Sequence, residues 1–450
     1  MKIVIAPDSF KENLTSLEVA SELETGLKRV WPNAEYIKVP MADGGEGTVQ
    51  SLVDATGGRI DAFAATGAPG QKMLASYGLL GDGRTAVIEM AEASGLPLVA
   101  KPDRDPLRAT TFGTGELVAD AINRGVEEII IGLGGSATND GGVGFAQALG
   151  VRFIDKDGAP ITEPLGGGRL DEVFAIDGRW VNPGLVNVQI NVACDVTNPL
   201  TGDKGASFVY GPQKGATPEM VLKLDRNLGH LAALIKRDLH KDIAEQPGAG
   251  AGGGLGGGLL AFTNATMKRG VELVVQATKL DEHMKGASLA ITGEGRVDFQ
   301  TAFGKTPSGV AASAHRHGVP VVAIGGGLAD DANGVFQHGI DAIESATPNA
   351  MPLDVAIKKS RQYLQDAGER VARLIVMGQR MAAGAPVFAA AARPQAEAAS
   401  HLNGSAPVLQ PVGKPNKPVR QRERAKRVQG LTRAAVELAQ RRRQRPGPTN

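Results

Sequence analysis

The sequence predicts an α/β fold in two parts. An open parallel sheet is assembled from both ends of the chain, and a second α/β region is inserted between them. Three observations predict it. Short continuous apolar runs, such as KIVIA (2–6) and EEIIIGLGG (127–135), have the pattern of strands buried on both faces. Several of these runs enter a glycine-bearing loop that opens a helix, which is the rhythm of βα units. That rhythm is clear before residue 58 and returns after about 271, while the stretch between departs from it. The expected division is therefore 1–65 with 288–378 as the parallel-sheet domain, 66–287 as the inserted α/β domain, and 381–450 as a tail. A chain of 450 residues also exceeds what one compact core usually holds.

Taken in order, KIVIA is the first strand and PDSFKENL the turn after it. Thr15-Ser16-Leu17-Glu18 has the form of a capping box, and Val19, Leu23 and Leu27 recur at helical spacing until Pro32 enforces a stop. A strand is expected near 36–39, then the loop PMADGGEG, then a helix from Thr48 ended by Gly57-Gly58. Residues 59–90 read as strands alternating with glycine turns, and 109–125 as a helix. The buried strand at 127–135 leads through a glycine loop to a helix at 142–149. A strand follows at 186–194, and a long amphipathic helix at 217–240 carries Val221, Leu224, Leu228, Leu231 and Leu234. The glycine-dense segment 248–258 is a loop by this reading, whether hinge, backbone cradle or linker. Beyond it come a helix to Met284, a strand at 288–295, a helix near 305–317, strands at 319–327 and 340–346, and a last helix at 353–377.

Hydrophobic residues make up 42% and charged residues 22%, a globular profile with enough apolar side chain for a sizeable core. The single cysteine, Cys194, excludes an intramolecular disulfide framework and a multi-thiolate zinc site, and its place in an expected strand makes it a buried structural residue. No apolar run approaches bilayer length, so a cytoplasmic protein without a membrane partner is expected. The net charge of +1 conceals an asymmetry: residues 381–450 hold 13 Lys and Arg against 3 Asp and Glu, leaving a net of −9 on the rest. The tail is expected to be disordered apart from a short basic helix at 428–443, and its charge admits weak contact with nucleic acid or another anionic surface.

Three glycine loops follow expected strands: ADGGEGT (42–48), GLGGSATNDGG (132–142) and TGEGRVD (292–298). A strand–glycine loop–helix junction presents free backbone N–H groups at the positive end of a helix, which suits a phosphate. None matches the P-loop or the dinucleotide fingerprint, which disfavours those classes. Asp8, Asp43, Glu46, Asp140, Asp195, Glu294 and Asp298 all fall at or just past expected strand ends, the edge where open α/β sheets bind ligands. Such carboxylates can share Mg²⁺ with a nucleotide or take a proton from a hydroxyl, and an Asp there equally caps the following helix. Lys11, Lys204, Lys214 and Lys305 lie in loops where an ammonium can meet carboxylate or phosphate oxygens. The histidines form no set at metal-ligand spacing.

Eight segments then occur in a fixed order: APDSFKENLTS, VPMADGGEGT, GLGGSATNDGG, CDVTNPLTG, YGPQKGA, GAGGGLGGG, ITGEGRVDFQTAFGKTP and VAIGGG. Together they resemble the bacterial glycerate kinase family, over roughly residues 1–378. The resemblance implies transfer of a phosphoryl group from ATP to D-glycerate with Mg²⁺, the 2-phosphoglycerate product being favoured over 3-phosphoglycerate. It also implies a flavodoxin-like (Rossmann-like) domain built from both chain ends, with the active site in a cleft against the inserted domain. Nothing in the family accounts for the tail. The residue chemistry assigns Asp195 as general base with Asp8 as second choice, and Lys11 and Lys214 to anionic oxygens. Gly134, Gly135, Ser136 and Thr138 are expected to cradle phosphates, with Gly293, Glu294 and Asp298 on the nucleotide side and Asp43 and Glu46 on Mg²⁺. Domain closure is the expected means of excluding water. The alternatives are a kinase for a related small hydroxy acid and, in another class, tail-mediated binding of polyanions.

Overall fold

A computed structural model describes residues 1–384. The chain opens with β1 (Lys2–Ile5), α1 (Ser16–Lys28), β2 (Glu35–Lys38) and α2 (Thr48–Thr56). There follow β3 (Arg59–Thr66), β4 (Lys72–Leu79), β5 (Thr85–Glu89), the single turn α3 (Ala91–Ser94), α4 (Phe112–Asn123), β6 (Glu128–Gly132) and α5 (Val143–Ala148). The middle continues with β7 (Arg152–Ile154), β8 (Ala175–Asp177), β9 (Gln189–Ala193), α6 (Ala206–Tyr210), α7 (Pro218–Leu239), α8 (Leu255–Phe262) and β10 (Thr266–Lys268). The last elements are α9 (Gly270–Ala277), α10 (Leu280–Met284), β11 (Leu289–Val297), α11 (Thr306–Arg316), β12 (Val321–Leu328), β13 (Ala342–Ser345), α12 (Leu353–Lys358) and α13 (Ser360–Ala382).

Five strands, in the order β13-β12-β11-β1-β2, form one sheet in which every pairing is parallel. Counted along the chain from β2, that is the 2-1-3-4-5 order of flavodoxin-like sheets, with the order reversing between β1 and β11. The alternation of β1 sorts its side chains onto two faces. Ile3 and Ile5 pack with Leu23 and Leu27 of α1 and Leu364 of α13, while Val4 faces Val310 and Ala314 of α11. Thr15 closes the expected capping box on α1: its hydroxyl accepts from Glu18 N while Glu18 accepts from Thr15 N.

Six further strands, β10-β9-β6-β5-β4-β3, form a mixed sheet. Its β5, β6, β9 and β10 run parallel, and β3 and β4 are antiparallel additions at one edge. One apolar cluster joins the two sheets: Val87 and Ile130 of the mixed sheet pack with Leu52 of α2, Leu273 and Val274 of α9, and Val4 of β1. The switch between sheets comes earlier than the expected boundary, because β3 already pairs in the mixed sheet from Arg59 onward.

Three other expectations change. The helix expected up to Met284 breaks into α9 and α10 where Lys279 takes a left-handed conformation, φ 52°. The helix at 353–377 is two helices meeting at Lys359, the second running on to Ala382. Much of the glycine-dense loop is helical, since Leu255 opens α8. Its glycines allow close backbone packing: a β-carbon on Gly256 or Gly258 would stand 2.2 and 2.6 Å from the carbonyl oxygens of Gly248 and Gly141. The segment is therefore a packed support, not a hinge. None of the described helices is long and apolar enough to cross a membrane. The expected disorder beyond 384 and the short basic helix at 428–443 lie outside the described residues.

Candidate active site

Two cavities open at the C-terminal edges of the two sheets. The larger, about 740 Å³, lies at the β1/β11 switch point. Asp8, Lys11, Asp43, Glu294, Asp298 and Lys305 line its polar part, while Leu328, Met351, Ile357 and Tyr363 form an apolar wall. The smaller, about 400 Å³, is lined by Gly134, Gly135 and Ser136 from the loop after β6, by Cys194 and Asp195 from the end of β9, and by Tyr210 and Gly252. Asp43 lines both.

Asp43 reaches this position because its loop is pressed onto the mixed sheet. A β-carbon on Gly44 would fall 2.8 Å from the Ala193 side chain, and one on Gly270 only 1.9 Å from the Asp43 carbonyl oxygen. Glycine is needed at these contacts, since any side chain would push the two sheets' loops apart. Gly45 N donates to Asp43 Oδ1 at 3.0 Å, which fixes the carboxylate. Gly47, at the start of α2, offers no side chain as a cap. Glu89, at the end of β5, supplies it from the other sheet by accepting from Val49 N at 2.9 Å. Burial raises the Glu89 carboxyl above its ordinary range.

In the larger cavity Asp8 accepts from Thr306 Oγ1 at 2.6 Å and from Ser9 N at 2.6 Å. Burial pushes its pKa up to about 7; the Thr306 bond opposes the rise, and the charges of Asp43 and Glu294 add to it. Lys305 Nζ sits 3.3 Å from Glu294 Oε2 and 3.8 Å from Asp298 Oδ1. Glu294 Oε1 is buried without a hydrogen-bond partner. Among the described residues no three His, Cys, Asp or Glu side chains converge into a metal cage.

In the smaller cavity Asp195 Oδ1 accepts from Gly270 N at 3.2 Å. Burial raises its pKa, the Gly270 bond and Arg269 hold it down, and Asp43 adds to the rise. The glycine loop is held by Leu96 N donating to Gly135 O at 2.7 Å, and Gly134 faces Gly45 across the seam.

The structure thus gathers Asp8, Lys11, Asp43, Glu294 and Asp298 at one cavity and Asp43, Gly134, Gly135, Ser136 and Asp195 at the other. Other expected site residues fall elsewhere. Lys214 is 1% exposed and donates from Nζ to Thr138 O at 2.6 Å, so it holds the glycine loop from behind. Burial pulls its pKa down to about 7, against the Asp140 charge. Thr138 is itself fully buried, its carbonyl against Gly253. Gly293 lies within β11, where its carbonyl accepts from Asp8 N at 2.8 Å. Glu46 is exposed and lines neither cavity. Asp140 is a structural clamp: fully buried, it accepts from Thr111 N, Thr111 Oγ1, Gly142 N and Gly144 N. Cys194 is half-buried just past β9 and lines the smaller cavity instead of sitting in a strand interior.

Sequence reasoning missed Glu89, Thr306 and Arg269. Glu89 carried the signal that marked Asp195, a carboxylate ending an apolar strand. Thr306 and Arg269 only precede or begin helices, a weak cue.

The sequence profile of the glycerate kinase family matches residues 3–376. The chain belongs to the glycerate kinase family. It is a phosphotransferase with an alcohol group as acceptor. Glycerate kinase of Halalkalibacterium halodurans is 54% identical, covering 82% of this chain and 97% of its own. Glycerate 2-kinase of Escherichia coli K12 is 49% identical, covering 85% of this chain and all of its own. A crystal structure from Salmonella typhimurium LT2, described as a glycerate kinase 2, superposes with a TM-score of 0.78 at 49% identity, covering 84% of this chain and 99% of its own. Residues beyond 376, the basic tail among them, lie outside the family match.

Proposed function

We propose that this glycerate kinase family member transfers the γ-phosphoryl group of ATP to the 2-hydroxyl of D-glycerate in the cytoplasm, releasing 2-phosphoglycerate and ADP. The observation that carries the reading is Asp43, shared by two cavities that meet at the edges of two sheets. The larger cavity has the size and apolar wall for a nucleoside, and its lining also holds Lys11 and the carboxylates Asp8, Asp43, Glu294 and Asp298. The smaller suits a three-carbon acid. There Asp195 takes the proton of the reacting hydroxyl, and the amides of the 134–136 loop face the phosphoryl group in transit. Lys214 and Thr138 act behind that loop, holding its shape. The two sheets fall into two lobes, 1–58 with 270–384 and 59–268, whose closure over the seam excludes water.

Mg²⁺ fits this site. Asp43 and Glu294 stand close enough to Asp8 for their charges to raise its pKa, and Glu294 keeps one buried oxygen without a partner. Asp43 and Asp8 would hold the ion together with phosphate oxygens, since the described residues offer no complete cage. When bound, the ion neutralises charge on the phosphates. Glu46, exposed outside both cavities, drops out of that role.

Product analysis by ³¹P NMR with Mg-ATP and D-glycerate tests the reading. A 2-phosphoglycerate resonance is expected. A 3-phosphoglycerate resonance overturns the regiochemistry, and no phosphoglycerate from folded protein overturns the substrate.

A further inference from the structure

We propose that Arg269 selects an acid as the acceptor, its guanidinium taking the carboxylate of glycerate beside the hydroxyl whose proton goes to Asp195. This rests on the glycerate-kinase reading above.

Among the described residues the smaller cavity is lined by two carboxylates, Asp43 and Asp195, and by no Lys or Arg. A glycerate anion entering it meets the repulsion of both carboxylates, which a cation from nearby would offset. The neighbouring cations are mostly committed or elsewhere. Lys214 is buried on Thr138 O, Lys305 is paired with Glu294 and Asp298, and Lys11 and Arg296 line the larger cavity.

Arg269 remains. It directly precedes α9, whose first amide, Gly270 N, donates to Asp195. Its charge acts on the Asp195 carboxylate. It is exposed, and among the described residues its side chain makes no hydrogen bond or salt bridge. The guanidinium lies over Gly304, where a β-carbon would stand 3.3 Å from Nη2, at an adjoining cavity that Phe303 and Ser308 also line, and the proposal requires its flexible stem to turn from there to the substrate.

The substrate's geometry demands such a neighbour. In glycerate the carboxylate is bonded to the carbon that bears the 2-hydroxyl, so the group accepting the proton and the group binding the carboxylate must stand side by side. The O–H proton passes to Asp195, the oxygen–phosphorus bond forms, and the bond to ADP breaks. The planar Arg fork can hold both carboxylate oxygens throughout.

The test compares D-glycerate with its neutral amide, D-glyceramide, as acceptors for wild type, Arg269→Ala and Arg269→Lys. Wild type should prefer the acid. Arg269→Ala should raise KM for D-glycerate about 10- to 100-fold and bring the acid-to-amide ratio of kcat/KM near unity, with KM for ATP nearly unchanged. Added guanidinium ion should restore part of the D-glycerate turnover, and Arg269→Lys should recover part of the preference. An equal loss with both acceptors, or an unchanged ratio, overturns the assignment while leaving the proposed function standing. A folded wild type that phosphorylates neither acceptor overturns both.

Discussion

The Thr306 hydroxyl donates a 2.6 Å hydrogen bond to Asp8 Oδ2, joining residues 298 positions apart. They meet because β1 pairs with β11 and α11 begins just beyond, at the point where the strand order reverses. Thr306 favours the charged carboxylate, and burial favours the neutral acid more strongly, leaving Asp8 with a pKa of about 7. Replacing Thr306 with Val removes the opposing bond. The acidic limb of the kcat/KM profile should then move to higher pH, and an unmoved limb would show that Asp8 does not govern it.

Asp8 also sets a pH dependence of stability. In the unfolded chain it ionises near 3.8, but in the fold only near 7, so ionisation costs the fold stability as pH rises between these values. The cost is complete above about pH 7 and absent below about pH 4. Asp8→Asn should therefore melt higher than wild type at about pH 8 and lose that advantage at about pH 4. Thermal melts at both values decide it.

Asp195→Asn keeps the shape of the side chain and removes the proton acceptor. Turnover should fall about 10²–10⁴-fold, with the melting temperature close to wild type. Near-normal turnover in the folded variant would remove Asp195 from the base role and leave Asp8 as the candidate.

Lys214→Met leaves the Thr138 carbonyl without its buried donor. A loss of about 1–3 kcal/mol is expected, read in denaturant unfolding near neutral pH. Because burial depresses the Lys214 pKa to about 7, the wild-type fold gains stability as pH climbs from there towards 10.5. The variant should lack that gain. KM for both substrates should rise as the 134–136 loop loosens.

Two glycines should respond oppositely to alanine. At Gly270 the new methyl would stand 1.9 Å from Asp43 O, so the Asp43 loop must move, costing about 1–3 kcal/mol and most of the activity. At Gly229, inside α7, nothing lies within 4 Å, and alanine should stabilise by about 0.5–1 kcal/mol. Paired melts and assays would expose an error in either sign.

The tail carries a net charge of +10 over residues 381–450 and lies beyond the family match. Ending the chain at 384 should leave kcat unchanged and abolish salt-sensitive retention on heparin. A fall in kcat on truncation would tie the tail to catalysis.

Much of the fold was legible because its strands are continuous apolar runs and its helices carry local stop signals. KIVIA, the Thr15–Glu18 box and Gly57 each act over a few residues, so one sequence suffices to read them. The β3 assignment was not legible, because strand character does not say which sheet a strand joins. The helix hidden in LGGGLLAF was masked by glycines whose use, close backbone packing against Gly248 and Gly141, exists only in the fold.

The candidate site divides the same way. The family, the glycine loops and the carboxylates at strand ends follow from residue type and order alone. Which of them share a cavity depends on the folded packing. Lys11 and Lys214 are both loop lysines in sequence, yet one lines the larger cavity and the other is sealed under Thr138. Burial is set by what packs against a side chain from distant parts of the chain, and burial determines whether a charged group meets a substrate or holds the loop that does.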